Sequence, residues 1–526
     1  MDFEGLRSFY DSRDFDPDQV FECDICIIGS GPAGISMARE FANSDKRVIL
    51  LESAGLWLEE DIEELNRLVV TGHNYPETGS RLRLFGGTAN HWGGHCAPMT
   101  PVGLGKRDWI EYSGWPFGID ELNPYYERAH EVIEIGPYDY RSRPTAVRLG
   151  LDLLPFDPRF VKSQLSRYHA QNFGPRYAEE LDAAPNISVF LYATVTSINL
   201  DEHKRFVSDA DVKTLAGNGF QVKAKTFVLA AGGIENARLL LLSDRDMRHG
   251  LGNQNDLVGR FFMDHVAYDN GLILPFDQNL DAVKYYAQEN YLEDDYDVRA
   301  HLILSDASVE ELRIPEYRVE LQAGFSRKYF SSVRSSARLR RFLMSFDADF
   351  VSLEDVVTIL SDLGSPIKYL AGDLGAPFVY GFLNHVEQVP NPDSRVMLSD
   401  KRDALGQRKV ALHWQLRDID ILGMSKAQRL IAREVGRAEI GRMQVNLPET
   451  IESIPPTVRA VEHHMGTTRM NPDPKWGVVD SNCRIHGVEN SFVAGSSVFP
   501  TGGYPNPTLT LTALAIRLAD HIKQTL

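Results

Sequence analysis

Two adjacent histidines, His463 and His464, stand in "EHHMGTTRM" (462–470), ahead of a glycine, two threonines and an arginine. A metal ion would need both rings to converge. Adjacent side chains diverge on a strand and lie about 100° apart on a helix, and no H-E-x-x-H or Cys/His cluster nearby completes a ligand set. Taken alone, the pair is either a packed couple or a proton acceptor, because a neutral imidazole with a pKa near 6.5 can take a proton at neutral pH.

A second stretch has phosphate-binding spacing. "CDICIIGSGPAGISMAREFANSDKRVILLESAG" (23–55) reads as an apolar strand, a glycine-rich turn, a helix and a second strand that ends at Glu52. Gly29 suits the tight turn, Gly31 lets backbone approach a pyrophosphate, and Gly34 lets helix and strand pack closely. Unpaired N–H groups at the helix start meet phosphate charge, Pro32 fits the first turn, and Glu52 is placed for an adenosine ribose. The motif by itself does not separate FAD from a nicotinamide. A third stretch, "RLRLFGGTANHWGGHCAPM" (81–99), sets Asn90, His91 and Trp92 between Gly86-Gly87 and Gly93-Gly94. Paired glycines imply close backbone approach or positive φ. The segment suits a wall around a flat heterocycle, or a surface loop with a packed Trp92.

Together these stretches resemble the glucose–methanol–choline (GMC) oxidoreductases, and within them the pyranose oxidases and bacterial glycoside 3-oxidases and 3-dehydrogenases. The resemblance implies FAD as cofactor. Gly86, Gly87, His91 and Trp92 match the family's G-G-x-x-x-H-W element, in which the histidine of pyranose oxidases is joined to the flavin. Gly93-Gly94-His95 departs from that pattern, so a bond through His91 and a non-covalent flavin both stay open. "TFVLAAGGIENARLLLLS" (226–243), with Ala231, resembles the strand–turn–helix that closes the adenine-nucleotide half. In "DLVGRFFMDHV" (256–266), His265 reads as structural.

The C-terminal stretch "NSFVAGSSVFPTGGYPNPTLTLTALAIRLADHI" also carries the likeness. Gly495, Pro507 and Thr508 fall at cofactor-binding places, and His463 matches the family's catalytic histidine, with His464 at a variable position. Asn506 matches the residue paired with that histidine. The implied reaction is oxidation of a small-molecule alcohol, with hydride going to flavin N5 and the proton to His463, while the Asn506 amide orients the oxygen. The implied substrate is a sugar or glycoside whose secondary hydroxyl becomes a ketone. Alternatives are an aminocyclitol or other natural-product alcohol, or a non-redox lyase of the same family. The electron acceptor is one of oxygen, a quinone or a protein, and the oligomeric state is left open.

The elements that must position these residues form an α/β fold (α+β overall): a Rossmann-like FAD-binding domain interleaved with a mixed-sheet substrate domain. The flavin domain draws on 20–85, 186–265 and 455–526, and the substrate domain on 86–185 and 266–454. Asn506 as N-cap and Pro507 as first helical residue place a helix start at the site. A helix is expected from Ile119, a hairpin at Asp403–Gly406 within the substrate sheet, and two amphipathic helices over 331–374.

Composition removes other classes. A net charge of −18 in 526 residues opposes sequence-independent nucleic-acid binding. No apolar run reaches the ~20 residues that span a bilayer, and "MDFEGLRSFYDSRDFDPDQV" lacks a signal-peptide core, so a cytoplasmic location is expected. Four cysteines build no disulfide framework. Cys23 and Cys26, three apart on a strand, point to opposite faces.

Overall fold

The computed structural model describes residues 6–169, 171–277, 284–287, 290–291, 296–324, 379–445 and 458–526. The helices expected over 331–374 lie outside them.

The apolar strand Val20–Ile28 is central to the first sheet, where it pairs in parallel with Val48–Leu51 and Gly219–Leu229. Val48–Leu51 pairs in parallel with Ile187–Leu191, and Ser491–Val493 adds beside Gly219–Leu229. An antiparallel pair, Val207–Lys213 and Thr194–Leu200, completes that side. Covered faces explain the apolar runs: Ile25, Cys26, Ile27, Leu50 and Val228 are fully buried. All four cysteines are free and buried. Helix Pro32–Glu40 crosses between the first two parallel strands and packs against the C-terminal helix Thr508–Thr525.

The second sheet runs in the order Gly441–Gln444, Val266–Pro275, Val379–Val386, Tyr317–Gly324, Asp297–Leu304, Val161–Tyr168 and His95–Cys96. Its described pairings are all antiparallel. One side of Val379–Val386 rests on helix Asp418–Arg437, and Gln428 of that helix donates to Asn384.

Arg395–Arg402 and Arg408–His413 form the hairpin expected from sequence. They belong to a separate three-stranded sheet completed by Val69–Val70. The turn is made by Asp403, whose side chain accepts from the N–H groups of Leu405 and Gln407. The expected helix spans Ile119–Ile133, buries Leu122, Tyr126 and Ala129, and lies along the C-terminal helix, to which Arg128 is tied through Asp520. Among the described residues no helix is long and apolar enough to cross a membrane.

Candidate active site

A cavity of about 440 Å³ runs along the C-terminal ends of the parallel strands, where doubly wound sheets bind ligands. Gly29, Gly31, Glu52, Gly87, His91, Trp92, Ala231, Gly495, Pro507, Thr508, His463 and Asn506 all line it. Gly34, Gly86 and Asn90 do not.

At one end the chain presents backbone. Gly29 has φ +104°, and a Cβ there would lie 2.7 Å from the Ala230 carbonyl oxygen. A Cβ at Gly34 would lie 1.8 Å from the Gly29 carbonyl oxygen, so Gly34 serves helix–strand contact. In front of Gly31 there is open space. Glu52, just past its strand, is buried and accepts from Ser30 Oγ–H (2.5 Å), Ser30 N–H and Ala54 N–H. Burial pushes its pKa up against those donors. Arg81, Arg83, Glu235 and Arg238 also line the cavity, and Arg81 Nη1 is buried with no partner.

The glycine-bracketed loop is held from behind. Gly86 (φ +97°) would place a Cβ 2.3 Å from the Gly174 nitrogen. The Asn90 amide is consumed by backbone: Nδ2–H donates to Phe85 O and Oδ1 accepts from Gly174 N–H. Gly86 and Asn90, grouped by sequence with the cofactor-binding residues, thus support the loop from outside the cavity. Trp92 Nε1–H donates to Gln171 O. His91 is exposed, and its Nδ1–H donates to Thr88 O (3.1 Å), which leaves Nε2 as the open nitrogen. On the opposite wall the Ala231 N–H is taken by Asn236 Oδ1, so Ala231 offers the cavity carbon rather than a donor.

The other end is built from side chains. His463 lies in a loop, where the backbone N–H groups of Val461, Glu462 and His463 converge on the buried Asp264 carboxylate at 3.3, 3.0 and 2.9 Å. Tyr75 Oη–H donates to the same carboxylate at 2.6 Å. Convergence of consecutive N–H groups forces Glu462 to φ +67°, a left-handed conformation for a non-glycine residue. Burial raises the Asp264 pKa to about 7 despite its donors.

His265, which reads as structural in the sequence, touches His463 directly. His265 Nε2 lies 2.7 Å from the Gly503 carbonyl oxygen, and its Nδ1 lies 2.8 Å from His463 Nδ1. A carbonyl can only accept, so His265 Nε2 carries the hydrogen. Burial lowers the His265 pKa to about 4 and keeps the ring neutral, so its Nδ1 is an acceptor. His463 must therefore donate through Nδ1–H, which leaves Nε2 as its free lone pair. Burial, then the neighbouring His265 and Arg318, hold the His463 pKa well below its usual value. His464 turns to Tyr75 and Phe262, with ring centroids 6.0 Å from each, and burial lowers its pKa to about 3.

Asn506 precedes the last helix but does not cap it. The helix runs Thr508–Thr525 with Pro507 at the cap position and no side-chain cap bond. Asn506 Oδ1 instead accepts from Arg318 Nη1 at 3.4 Å. The helix start still faces the cavity through Pro507, Thr508 and Leu511, which turns its partial positive charge that way.

A flavin dinucleotide fits this arrangement. The open cradle at Gly31 suits a pyrophosphate, the buried Arg81 Nη1 is a donor with no protein partner, and His463 and Asn506 also line the cavity, where a reacting group would be held. Among the described residues, no cluster of three or more His, Cys, Asp or Glu side chains has metal-binding geometry.

Residues 390–515 match the family described as GMC oxidoreductase, and residues 23–256 match that described as pyridine nucleotide-disulphide oxidoreductase. The 2-methyl-1,2-propanediol dehydrogenase of Mycolicibacterium austroafricanum is 25% identical over 96% of this chain and 95% of its own. The C-glycoside 3-oxidase of Microbacterium trichothecenolyticum is 23% identical over 95% and 96%. A solved structure of pyridoxine 4-oxidase shares the fold, with a TM-score of 0.56 at 18% identity over 95% of this chain and 99% of that one.

Proposed function

We propose that this chain is a GMC oxidoreductase that oxidises a secondary hydroxyl of a sugar or glycoside to a ketone with His463 as base. FAD, when bound along the cavity, supplies the hydride-accepting chemistry. Gly29, Gly31, Glu52, Gly87, Ala231, Gly495, Pro507 and Thr508 are the residues that would hold it.

The observation that carries the reading is the hydrogen-bonded series Gly503–His265–His463. It commits His463 Nδ1 to donation and leaves Nε2 to take the hydroxyl proton. Proton uptake at Nε2 disturbs nothing at Nδ1, so the ring keeps its orientation through the reaction. The new Nε2–H remains a donor to the substrate oxygen as negative charge develops there. A depressed pKa keeps the ring neutral, and so competent as a base, below pH 6.5. Asn506 offers an amide N–H to the same oxygen, which orients the C–H without competing for the proton. The sugar preference is supported by the overall likeness to a C-glycoside 3-oxidase rather than by a named sugar contact.

The test is anaerobic mixing of the purified flavoprotein with sugars, glycosides and aminocyclitols while flavin absorbance is followed. Bleaching by glycosides supports the reading. Bleaching by aminocyclitols alone would move the substrate to that class, and no bleaching across the panel would favour a non-redox reaction.

A further inference from the structure

Behind Asn506 sits a buried charge that the proton-transfer scheme does not use. Arg318 and Glu320 stand two residues apart on strand Tyr317–Gly324 and so share one face of the antiparallel sheet. Arg318 is 1% exposed. Its Nη2 lies 2.9 Å from Glu320 Oε1, its Nη1 donates to Asn506 Oδ1, and its Nε is buried without a partner. Glu320 is a hub: Arg299 Nη1, His95 Nδ1 and His385 Nε2 approach the same carboxylate at 3.6, 3.6 and 3.7 Å. The carboxylate holds the guanidinium from one side, and the guanidinium reaches Asn506 from the other.

We propose that Arg318, anchored by Glu320, is a positioning residue that turns the Asn506 amide so that its N–H groups face the substrate oxygen. An asparagine amide is nearly symmetric in shape, and in one of its two orientations it would present oxygen to oxygen. Arginine has donors only, so whatever it binds on Asn506 must be Oδ1. The pair is costly as a purely structural device. Buried ion pairs are commonly replaced by apolar side chains with little loss, and here the guanidinium leaves one donor unpaired. The same buried cation joins burial in lowering the pKa values of His95, His265, His301, His385 and His463, so the imidazoles around the site stay neutral.

The inference rests on the alcohol-oxidation reading, and a double-mutant cycle keeps the two apart. The cycle compares wild type, Arg318→Met, Asn506→Ala and the double variant by anaerobic flavin reduction. The probe is methyl β-D-glucoside, or whichever member of the sugar and glycoside panel bleaches the wild type fastest. Limiting rate is separated from apparent Kd, with FAD content and thermal midpoint recorded. Arg318→Met is expected to cut the limiting rate about 10- to 100-fold, with FAD retained. In the Asn506→Ala background the same change should cost less than about threefold, because its target is gone. Arg318→Lys should restore part of the rate. Should Arg318→Met fail to hold FAD, Glu320→Gln, which loosens the anchor and keeps the arginine, is carried through the same cycle. Equal losses in both backgrounds, or a loss in apparent Kd alone, overturn the proposal while leaving alcohol oxidation standing. A wild type that no panel member bleaches brings down both.

Discussion

The two ends of the cavity are made in opposite ways. The dinucleotide end is backbone from one contiguous unit, with Gly29, Gly31 and Gly34 inside a single strand–turn–helix and Glu52 at the next strand tip. The end proposed to hold the reacting group is side chains from distant segments: His265 and His463 are 198 residues apart in sequence, Arg318 and Asn506 are 188. That backbone tolerates no Cβ at Gly29 or Gly34, and of side-chain chemistry it asks chiefly the Glu52 carboxylate. A side-chain constellation tolerates changes of volume but not loss of a proton or lone pair. The first end should therefore fail by losing cofactor, and the second by losing rate with cofactor in place.

The sharpest break in that contrast comes from His463→Ala. Flavin reduction should slow about 10²- to 10⁴-fold, the usual worth of a general base, while bound FAD per chain stays at the wild-type level. Near-normal reduction would move the base elsewhere. Gly34→Ala tests the other end. A Cβ would sit 1.8 Å from the Gly29 carbonyl oxygen, so a stability loss of about 1–3 kcal/mol or more is expected, visible in the urea midpoint. FAD should be lost on gel filtration, and retention of both would show that the turn relaxes.

His265→Leu should lower the limiting rate about tenfold or more, since His463 can then place its proton on either nitrogen. FAD content should not change. A rate equal to wild type would show that the His463 tautomer is set without His265.

The smallest effect is on stability against pH. His265 has its folded pKa lowered to about 4 and His464 to about 3, both by burial. The unfolded chain, with ordinary histidines, binds more protons than the folded one between those values and about 6.5. The stability these two rings contribute is therefore whole above about pH 6.5 and drains as pH falls toward 4, while Asp264, its pKa raised to about 7, works in the opposite sense over the same window. Thermal midpoints across that window should decline, and less steeply in His265→Leu. Identical slopes in wild type and His265→Leu would mean that the fold does not hold the His265 ring neutral.

Much of this was legible from residue types and spacing, but unevenly. The βαβ unit could be read because its signal is local: strand, glycines, helix and acid follow within about thirty residues, as the pyrophosphate geometry demands. His463 and Asn506 could be singled out only through family likeness, and their shared wall came from the fold. Asn506 reads as a helix cap, yet its side chain belongs to Arg318, and the helix starts two residues later. A tertiary donor outcompeted a local one. The hairpin at Asp403–Gly406 was visible, but its sheet was not, because turn chemistry says nothing about which strand pairs next. Gly86 and Asn90 have the composition of a ligand wall and in fact brace it from behind.

His265 and Arg318 had no local signal at all. One is a lone histidine after Asp264, the other a lone arginine in an alternating strand. By itself the sequence determined the dinucleotide cradle, the elements around it and the kinds of side chain available for proton transfer. Only the tertiary structure decided which imidazole nitrogen is free and which way the Asn506 amide turns. Those depend on single hydrogen bonds between strands and loops that come together when the sheets pack.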